Sequence, residues 1–305
     1  MFAAPERIAT EVFARLPDLF RNRRPTPWTD ANKGGHPVDC FLEGPSFDRA
    51  GNLYVVDIPF GRVFRVSTAG EFTLVAEYDG EPNGLKIHRD GRIFITDYRH
   101  GIMQLDPASG QVTRLLERRW SEHFKGVNDL FFAPNGDLYF TDQGQTGLQD
   151  PSGRVYRWTA EGRLDQLVTT VPSPNGLVMN ADGTALYVAV TRANAVWRLP
   201  LLADGSVSKV GLFLQLSGSL GGPDGLAMDE SGGLAVCHSG LGAVWLFSRA
   251  GEPTHRVCSC TGLFTTNAAY GGPDRRSLYI TESETGTILR ATMPVAGKPM
   301  YSHHD

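Results

Sequence analysis

The stretch "SPNGLVMNADGTALYV", residues 173–188, contains a short apolar strand, a turn at Asp182 and Gly183, and a second strand rich in β-forming residues. Nearly the same phrase occurs at 81–96, "EPNGLKIHRDGRIFIT", and at 222–236, "GPDGLAMDESGGLAV". A phrase that returns along a chain is typical of a repeat architecture. We therefore aligned the whole sequence on this phrase.

Six copies of the phrase can be aligned on the polar residue that opens each one. These residues are Glu43, Asn83, Asn128, Asn175, Asp224 and Asn267. Successive copies are 40, 45, 47, 49 and 43 residues apart, which is close to the length of one four-stranded propeller blade. In each copy the opening strand is followed by a turn, a β-rich strand, a third strand and a more variable fourth strand.

The repeats predict an all-β fold, a six-bladed β-propeller with four-stranded antiparallel blades around a central channel. We expect a single domain over residues 1–305, with the blades at 41–295. Residues 1–40 are expected to form a closing strand and a loop, and 296–305 to form a tail, in which no role in the site is expected for His303, His304 and Asp305.

A propeller needs closure, because an open seam between the first and last blades would expose strand edges. The stretch "RIATEVFARL", residues 7–16, places Ile8, Thr10, Val12, Ala14 and Leu16 on one face. We predict that it is the outer strand of the last blade, with an amphipathic helix as the alternative. Residues 21–39 are polar and rich in turn formers, which predicts a loop.

Composition limits the partners. The formal net charge is −4 and no basic stripe occurs, so neither nucleic acid nor a membrane surface is expected. No apolar run reaches 18 residues, and the charged N-terminal segment does not resemble a signal peptide. The 4 cysteines are irregularly spaced and fit a reducing compartment, so we expect a cytoplasmic protein.

The opening residues of a propeller's inner strands meet at one mouth of its channel. All six opening residues carry side-chain oxygen, although Asn-Gly and Asp-Gly are also common turn dipeptides. Glu43 is a poor turn residue and departs from that explanation. Carboxylate and amide oxygens are the ligands of hard cations. The pattern indicates one divalent cation, Ca²⁺ above all, with Zn²⁺, Mn²⁺ and Mg²⁺ as alternatives.

The motifs "EGPSFDRAGNLYVVD", "GVNDLFFAPNGDLYFTD", "SPNGLVMNADGTALYV" and "GGPDGLAMDESGGLAV" occur in this order between about residues 41 and 290. In them the chain resembles the senescence-marker-protein (SMP-30), gluconolactonase and luciferin-regenerating-enzyme family. The resemblance implies a six-bladed propeller with a divalent ion in its channel. It also implies hydrolysis of lactones or, in one branch of the family, of organophosphorus esters.

The resemblance also implies roles for particular residues. The ligands would be Glu43, Asn128, Asn175 and Asp224, and Asp224 would be catalytic as well. Sugar lactonases of the family carry an Arg two residues before the third-blade Asn, where this chain has Gly126. An aldonolactone substrate therefore does not follow from the resemblance.

We therefore predict a metal-dependent hydrolase of cyclic carboxylic esters that acts on a small-molecule lactone. Asp224 would be a general base towards the attacking water, or alternatively a direct nucleophile. Tyr98, Gln143 and His238 follow or end second strands and are predicted to contact substrate. The alternatives are a phosphotriesterase that uses the same ion and a non-catalytic propeller that binds a protein.

Overall fold

The computed structural model describes residues 3–304, which form six antiparallel sheets arranged as the blades of a propeller. The innermost strand of each sheet contacts the innermost strands of the two neighbouring sheets, and the sixth contacts the first. The six inner strands therefore enclose one channel. The predicted all-β, six-bladed fold is confirmed.

The strands have equivalent positions in each blade. The inner strands are Leu42–Phe47, Pro82–Ile87, Val127–Phe132, Pro174–Met179, Gly222–Met228 and Thr265–Gly271. The second strands are Leu53–Asp57, Ile93–Asp97, Leu138–Asp142, Ala185–Val190, Leu234–Ser239 and Ser277–Glu282. The third strands are Arg62–Val66, Gly101–Leu105, Gly153–Trp158, Ala195–Pro200, Ala243–Phe247 and Thr287–Thr292. The outer strands of the first five blades are Phe72–Glu77, Val112–Leu116, Leu164–Val171, Gly211–Gln215 and Pro253–Cys258.

The remaining elements are short. They are the α-helix Pro27–Asn32, the 3-10 helices Asp18–Phe20, Ile58–Phe60, Thr191–Ala193 and Tyr301–His303, and the hairpin of Arg118–Arg119 with Glu122–His123. Within residues 3–304, no helix is both long enough and apolar enough to cross a membrane.

Burial decreases from the second strands to the outer strands. All residues of Leu53–Asp57 and Ala185–Val190 are buried on both faces of their sheets, because each blade is packed between two others. Removing these β-branched, aliphatic and aromatic side chains from water is the main stabilising contribution. The outer strand Phe72–Glu77 is largely exposed or half-buried.

The N-terminal segment closes the ring with two strands. Glu11–Arg15 pairs antiparallel with Thr287–Thr292 and is the outer strand of the sixth blade, as predicted. Glu6–Ala9 instead pairs parallel with Pro253–Cys258 and adds a fifth strand to the fifth blade. The expectation of one continuous strand was therefore wrong, because the chain passes from one blade to the next at Thr10.

The pairing register also shifts between Val12 and Ala14. This irregularity breaks the predicted alternation, so that Val12 is 42% exposed whereas Leu16 is 1% exposed.

Residues 21–39 contain a helix where the sequence analysis predicted only a loop. The helix Pro27–Asn32 begins at Thr26, whose side chain accepts a hydrogen bond from the Thr29 backbone N–H. Pro27 is the first helical residue, and Trp28 is buried against Phe41 with a ring-centroid distance of 4.7 Å. A capping Thr followed by Pro is a recognised helix start, so the signal was present in the sequence.

The C-terminal segment packs against the ends of the inner strands. The ring of Tyr301 stacks on Phe132 with centroids 5.2 Å apart, and Ser302 Oγ donates a hydrogen bond to the carbonyl oxygen of Phe47. Residues 298–301 line a cavity of about 70 Å³ at this mouth of the channel. Asp305 lies outside the described residues.

We predict that Leu16→Ala lowers the free energy of unfolding by about 2–5 kcal/mol, the usual range for a fully buried leucine. Leu16 packs in a cluster that spans the first and last blades, so the variant weakens the closure of the ring. Urea unfolding measures the loss. Val12→Ala in the same segment is the control, and an equal loss there would contradict this role of Leu16.

Candidate metal centre

Every inner strand has a bulge at its opening residue or directly after it. In the second blade Pro82 pairs with Asp97 and Leu85 with Ile95, so that Asn83 and Gly84 lie outside the regular ladder. The third, fourth and fifth inner strands have a register shift at the corresponding place, the sixth has it at Thr266, and the first has it directly after Glu43, which pairs with Val56. Bulges re-aim side chains, and here they direct opening residues towards the channel.

In the sixth blade, the strand pairing shows that the predicted alignment of the repeats is wrong by one residue. Thr265 pairs with Glu282 as Pro82 pairs with Asp97, which makes Thr266 the opening residue rather than Asn267. The hydroxyl of Thr266 forms hydrogen bonds with the Leu42 carbonyl oxygen and with the Ser283 hydroxyl, so it is already engaged.

Asn267 supports Glu43 instead. Its Nδ2 donates a hydrogen bond to Glu43 Oε2 at 2.9 Å, and the same oxygen accepts a second bond from the Gly44 backbone N–H at 2.7 Å. Glu43 is only 4% exposed. These two bonds hold the carboxylate in one orientation at the channel.

Asp129 was not among the predicted ligands or substrate contacts. It follows the opening residue Asn128, at a position where four of the other blades have Gly, and is 3% exposed. Its Oδ1 accepts a hydrogen bond from the Leu130 N–H and lies 3.9 Å from Lys86 Nζ. The signal was the "ND" in "GVNDLFF", where four of the other copies have Gly after the opening residue.

A cavity of about 490 Å³ opens at this end of the channel. Among the residues predicted as ligands or as substrate contacts, the following line it: Glu43, Tyr98, Asn128, Gln143, Asn175 and Asp224. Asn83 lines it too, and so does the loop at 143–149. The repeat thus brings together side chains that are up to about 180 residues apart in the chain.

His238 does not line the cavity. It is fully buried, its Nδ1 accepts a hydrogen bond from Trp245 Nε1 at 3.1 Å, and its Nε2 lies 3.0 Å from Asn194 Oδ1. Burial lowers the pKa of His238 to about 4, so the ring is neutral at pH 7. His238, which was predicted to contact substrate, therefore does not belong to the candidate site at this cavity.

Gln143 orients Asn128. The Asn128 amide donates a hydrogen bond from Nδ2 to Gln143 Oε1, and Gln143 Nε2 donates to Ser173 Oγ, both at 2.9 Å. These two hydrogen bonds in series fix which end of the Asn128 amide faces Gln143. It leaves the amide oxygen of Asn128 free to act as a ligand.

The carboxylates are crowded. Burial raises the pKa of Glu43 to about 7, and Asp129 adds to the rise. Burial also raises the pKa of Asp224 well above its usual range, and repulsion from the charges of Glu43 and Asp129 raises it further. A hydrogen bond from Asn175 acts in the opposite direction and lowers this pKa. Ionised carboxylates so close together are unfavourable without a compensating cation.

The donor set fits a hard divalent cation. Among residues 3–304, no three or more His, Cys, Asp or Glu side chains form a group that could hold a metal ion. A site here would therefore need amide oxygens from Asn128 and Asn175 beside the carboxylates of Glu43 and Asp224. Such all-oxygen sets suit Ca²⁺ and Mg²⁺ better than soft transition metals.

The N-terminal segment forms one wall of the cavity. Trp28, Asn32 and Lys33 line it, together with Phe41 and Phe264. On another wall, a Cβ atom at Gly126 would lie 2.6 Å from the Tyr98 ring, and the φ of Gly126 is +148°. Tyr98 therefore occupies the space that a larger residue at position 126 would need.

The chain is similar to known proteins in sequence. Residues 41–284 match the family model described as the SMP-30/Gluconolactonase/LRE-like region. A gluconolactonase of Zymomonas mobilis is 29% identical over 279 residues, which cover 81% of this chain and 78% of the relative. The lactonase drp35 of Staphylococcus aureus is 29% identical over 243 residues, 76% of this chain and 72% of the relative.

A solved structure adds to this comparison. Regucalcin from Agrobacterium tumefaciens, described as a calcium-binding protein, superposes with a TM-score of 0.77 at 24% identity. The superposition covers 98% of this chain and 99% of that one. At this identity the likeness shows that the fold is shared.

We predict that the metal-free protein loses stability as pH rises from about 4.5 to about 7. The pKa of Glu43 is higher in the folded than in the unfolded chain, so the folded state binds more protons in this window and is favoured at its acidic end. Ca²⁺ should therefore raise the melting temperature more at pH 8 than at pH 5. Thermal unfolding with chelator or with Ca²⁺ measures both effects.

Glu43→Gln is the control, because it removes the titrating group and should flatten this part of the pH dependence. An equal Ca²⁺ effect at pH 5 and pH 8 in the wild-type protein would contradict the prediction.

Proposed function

The chain belongs to the SMP-30/gluconolactonase/LRE-like family, and from this premise we propose that it is a divalent-metal-dependent lactone hydrolase. The observation that carries the proposal is the convergence of Glu43 and Asp224 with two amides at the floor of a small-molecule cavity. The relatives named gluconolactonase and lactonase support the substrate class.

Glu43, Asn128, Asn175 and Asp224 would hold the cation, which when bound would supply Lewis-acid polarisation of the lactone carbonyl. Asn267 and the Gly44 N–H keep Glu43 oriented towards it. Gln143 does the same for Asn128. We infer Ca²⁺ from the oxygen donors and from the calcium-binding relative with the same fold.

Asp224 is the residue we assign to proton transfer. It lines the cavity, whereas Asp129 lies behind the opening residues and is paired with Lys86. The Asp224 carboxylate would take a proton from a water that attacks the carbonyl carbon. As the bond from that carbon to the ring oxygen breaks, the proton would pass to the ring oxygen, and one hydroxy acid is formed from one lactone and one water.

One observation bears on the alternative of a non-catalytic interaction propeller. Such a protein would be expected to expose an aromatic patch. Among the described residues, Trp120 is the only exposed large aromatic side chain, and the other exposed large hydrophobic side chains are leucines and valines. This supports the enzyme over the interaction module.

The proposal is tested by metal analysis together with a substrate panel. We expect about one divalent ion per chain after dialysis against a weak chelator, and hydrolysis of γ-butyrolactones or aldonolactones that chelator abolishes and Ca²⁺ restores. Preferential hydrolysis of an aryl phosphotriester would favour the phosphotriesterase alternative. No retained metal and no hydrolysis would overturn the proposal.

We predict that Asp224→Asn folds and lowers turnover at saturating metal by about 10²–10⁴-fold, the range for loss of a general base. Asn fits the motif, as Asn175 in the fourth blade demonstrates, and keeps an oxygen ligand. Proton release during lactone hydrolysis measures the rate.

Asp229→Asn is the matched control. Asp229 Oδ1 accepts hydrogen bonds from the N–H groups of Ser231 and Gly233 in a turn that does not line the cavity. This variant should therefore keep near wild-type activity. Near wild-type turnover by metal-loaded Asp224→Asn would make Asp224 a ligand only.

We predict that Glu43→Gln weakens metal affinity, since it removes one of two carboxylates that would balance the ion. Activity should return in part at high Ca²⁺ concentration. Titration of activity and of melting temperature with Ca²⁺ measures the shift. Loss of activity with unchanged affinity would assign Glu43 a different role.

A further inference from the structure

Two cationic side chains line the cavity without an anionic partner. Lys33 and Arg192 form no ion pair within 4.0 Å and no side-chain hydrogen bond among residues 3–304. Other arginines of the protein form ion pairs with carboxylates, as Arg62 does with Asp57 and Arg157 with Asp137. The two unpaired cations are therefore available to a ligand.

Lys33 is held in place by aromatic rings. Its Nζ lies 4.3 Å from the ring centroid of Phe264, 4.5 Å from that of Phe41 and 5.8 Å from that of Trp28. Aromatic faces attract an ammonium group without using its hydrogen-bond donors. The three N–H groups of Lys33 are thus positioned and left to other partners.

The backbone beneath Lys33 is also ordered. Lys33 ends the capped helix Pro27–Asn32, and its N–H donates to the Thr29 carbonyl oxygen. Burial lowers the pKa of Lys33, whereas the negative charges of Asp224 and Glu284 raise it. Lys33 and Asp224 are therefore close enough for their charges to attract each other.

The charges of the cavity do not balance for a neutral ligand. Glu43 and Asp224 contribute two negative charges when ionised, which a divalent cation would balance, whereas Asp129 does not line the cavity and is paired with Lys86. Lys33 and Arg192 then give this end of the channel an excess of positive charge. An anionic substituent on the ligand would neutralise that excess.

We propose that the substrate is a lactone that bears an anionic substituent, a carboxylate or a phosphate, which Lys33 binds while the ring lies over Asp224. Arg192, exposed at the mouth in the 3-10 helix Thr191–Ala193, attracts the same anion as it enters. A cavity of about 490 Å³ has room for a lactone ring with such a group. This inference rests on the proposed lactonase function and specifies its substrate class.

The test compares matched compounds. A γ-butyrolactone with a ring carboxylate is compared with its primary carboxamide, which has the same shape without the charge. Gluconolactone and its 6-phosphate distinguish a phosphate from a carboxylate. For the Ca²⁺-loaded wild type we expect kcat/KM to be about 10–100-fold higher for the better of the two anionic lactones than for its neutral counterpart, as for one charge-assisted contact.

Lys33→Met should abolish that preference, because it removes the charge and keeps the apolar stem, so that kcat/KM falls much more for the anionic lactones than for their neutral counterparts. Lys33→Arg, which keeps the charge, should retain most of the preference. Arg192→Gln should lower kcat/KM for the anion only, and more at low than at high salt. Arg249→Gln is its control, since Arg249 pairs with Asp182 and does not line the cavity.

Binding is followed separately by the thermal shift that each compound gives to the wild type and to Lys33→Met. No discrimination between charged and neutral lactones, or an equal effect of Lys33→Met on both, would overturn the anion site. If no lactone is hydrolysed but anions stabilise the wild type and not Lys33→Met, the proposed lactonase function fails and the anion site stands.

Discussion

The close approach of six inner strands around one axis is the constraint on which this structure depends. A Cβ atom at Gly44 would lie 2.6 Å from the Asn83 carbonyl oxygen, and one at Gly176 would lie 2.5 Å from that of Asp224. Glycine after the opening residue therefore lets neighbouring strands meet. The bulge at the same place directs the opening side chain into the channel, so that tight packing and the candidate site have one origin.

The two blades that depart from this rule fill the space that the glycines leave. Asp129 lies against Gly84, and Asn267 lies against Gly225. Asn267 orients Glu43, whereas Asp129 adds a buried negative charge that raises the pKa of both Glu43 and Asp224. A core selected for stability alone would not gather these carboxylates. Buried carboxylates that repel one another oppose stability, and such a conflict between stability and local structure is expected where a protein binds a ligand.

The sequence was sufficient for the fold and for the residues at the cavity floor, because both follow from the same repeat. It was insufficient where tertiary contacts decide. The register of the sixth blade depends on the pairing of Thr265 with Glu282, which the phrase "TTNAAYG" does not reveal. His238 pairs with Pro223 as Asp97 pairs with Pro82 in the second blade, but its ring forms hydrogen bonds with Trp245 and Asn194 instead of facing the cavity. Lys33 reaches the cavity through a helix outside the repeats, where no periodicity could locate it.

The N-terminal segment has a consequence for the order of assembly. Residues 6–15 are synthesised well before their partners at 253–258 and 287–292. Both strands thus remain without partners while the intervening blades are synthesised, which exposes their edges to pairing with other chains. Phe264, one of the rings around Lys33, follows the fifth blade, so this part of the cavity wall is also completed only after that blade has been made.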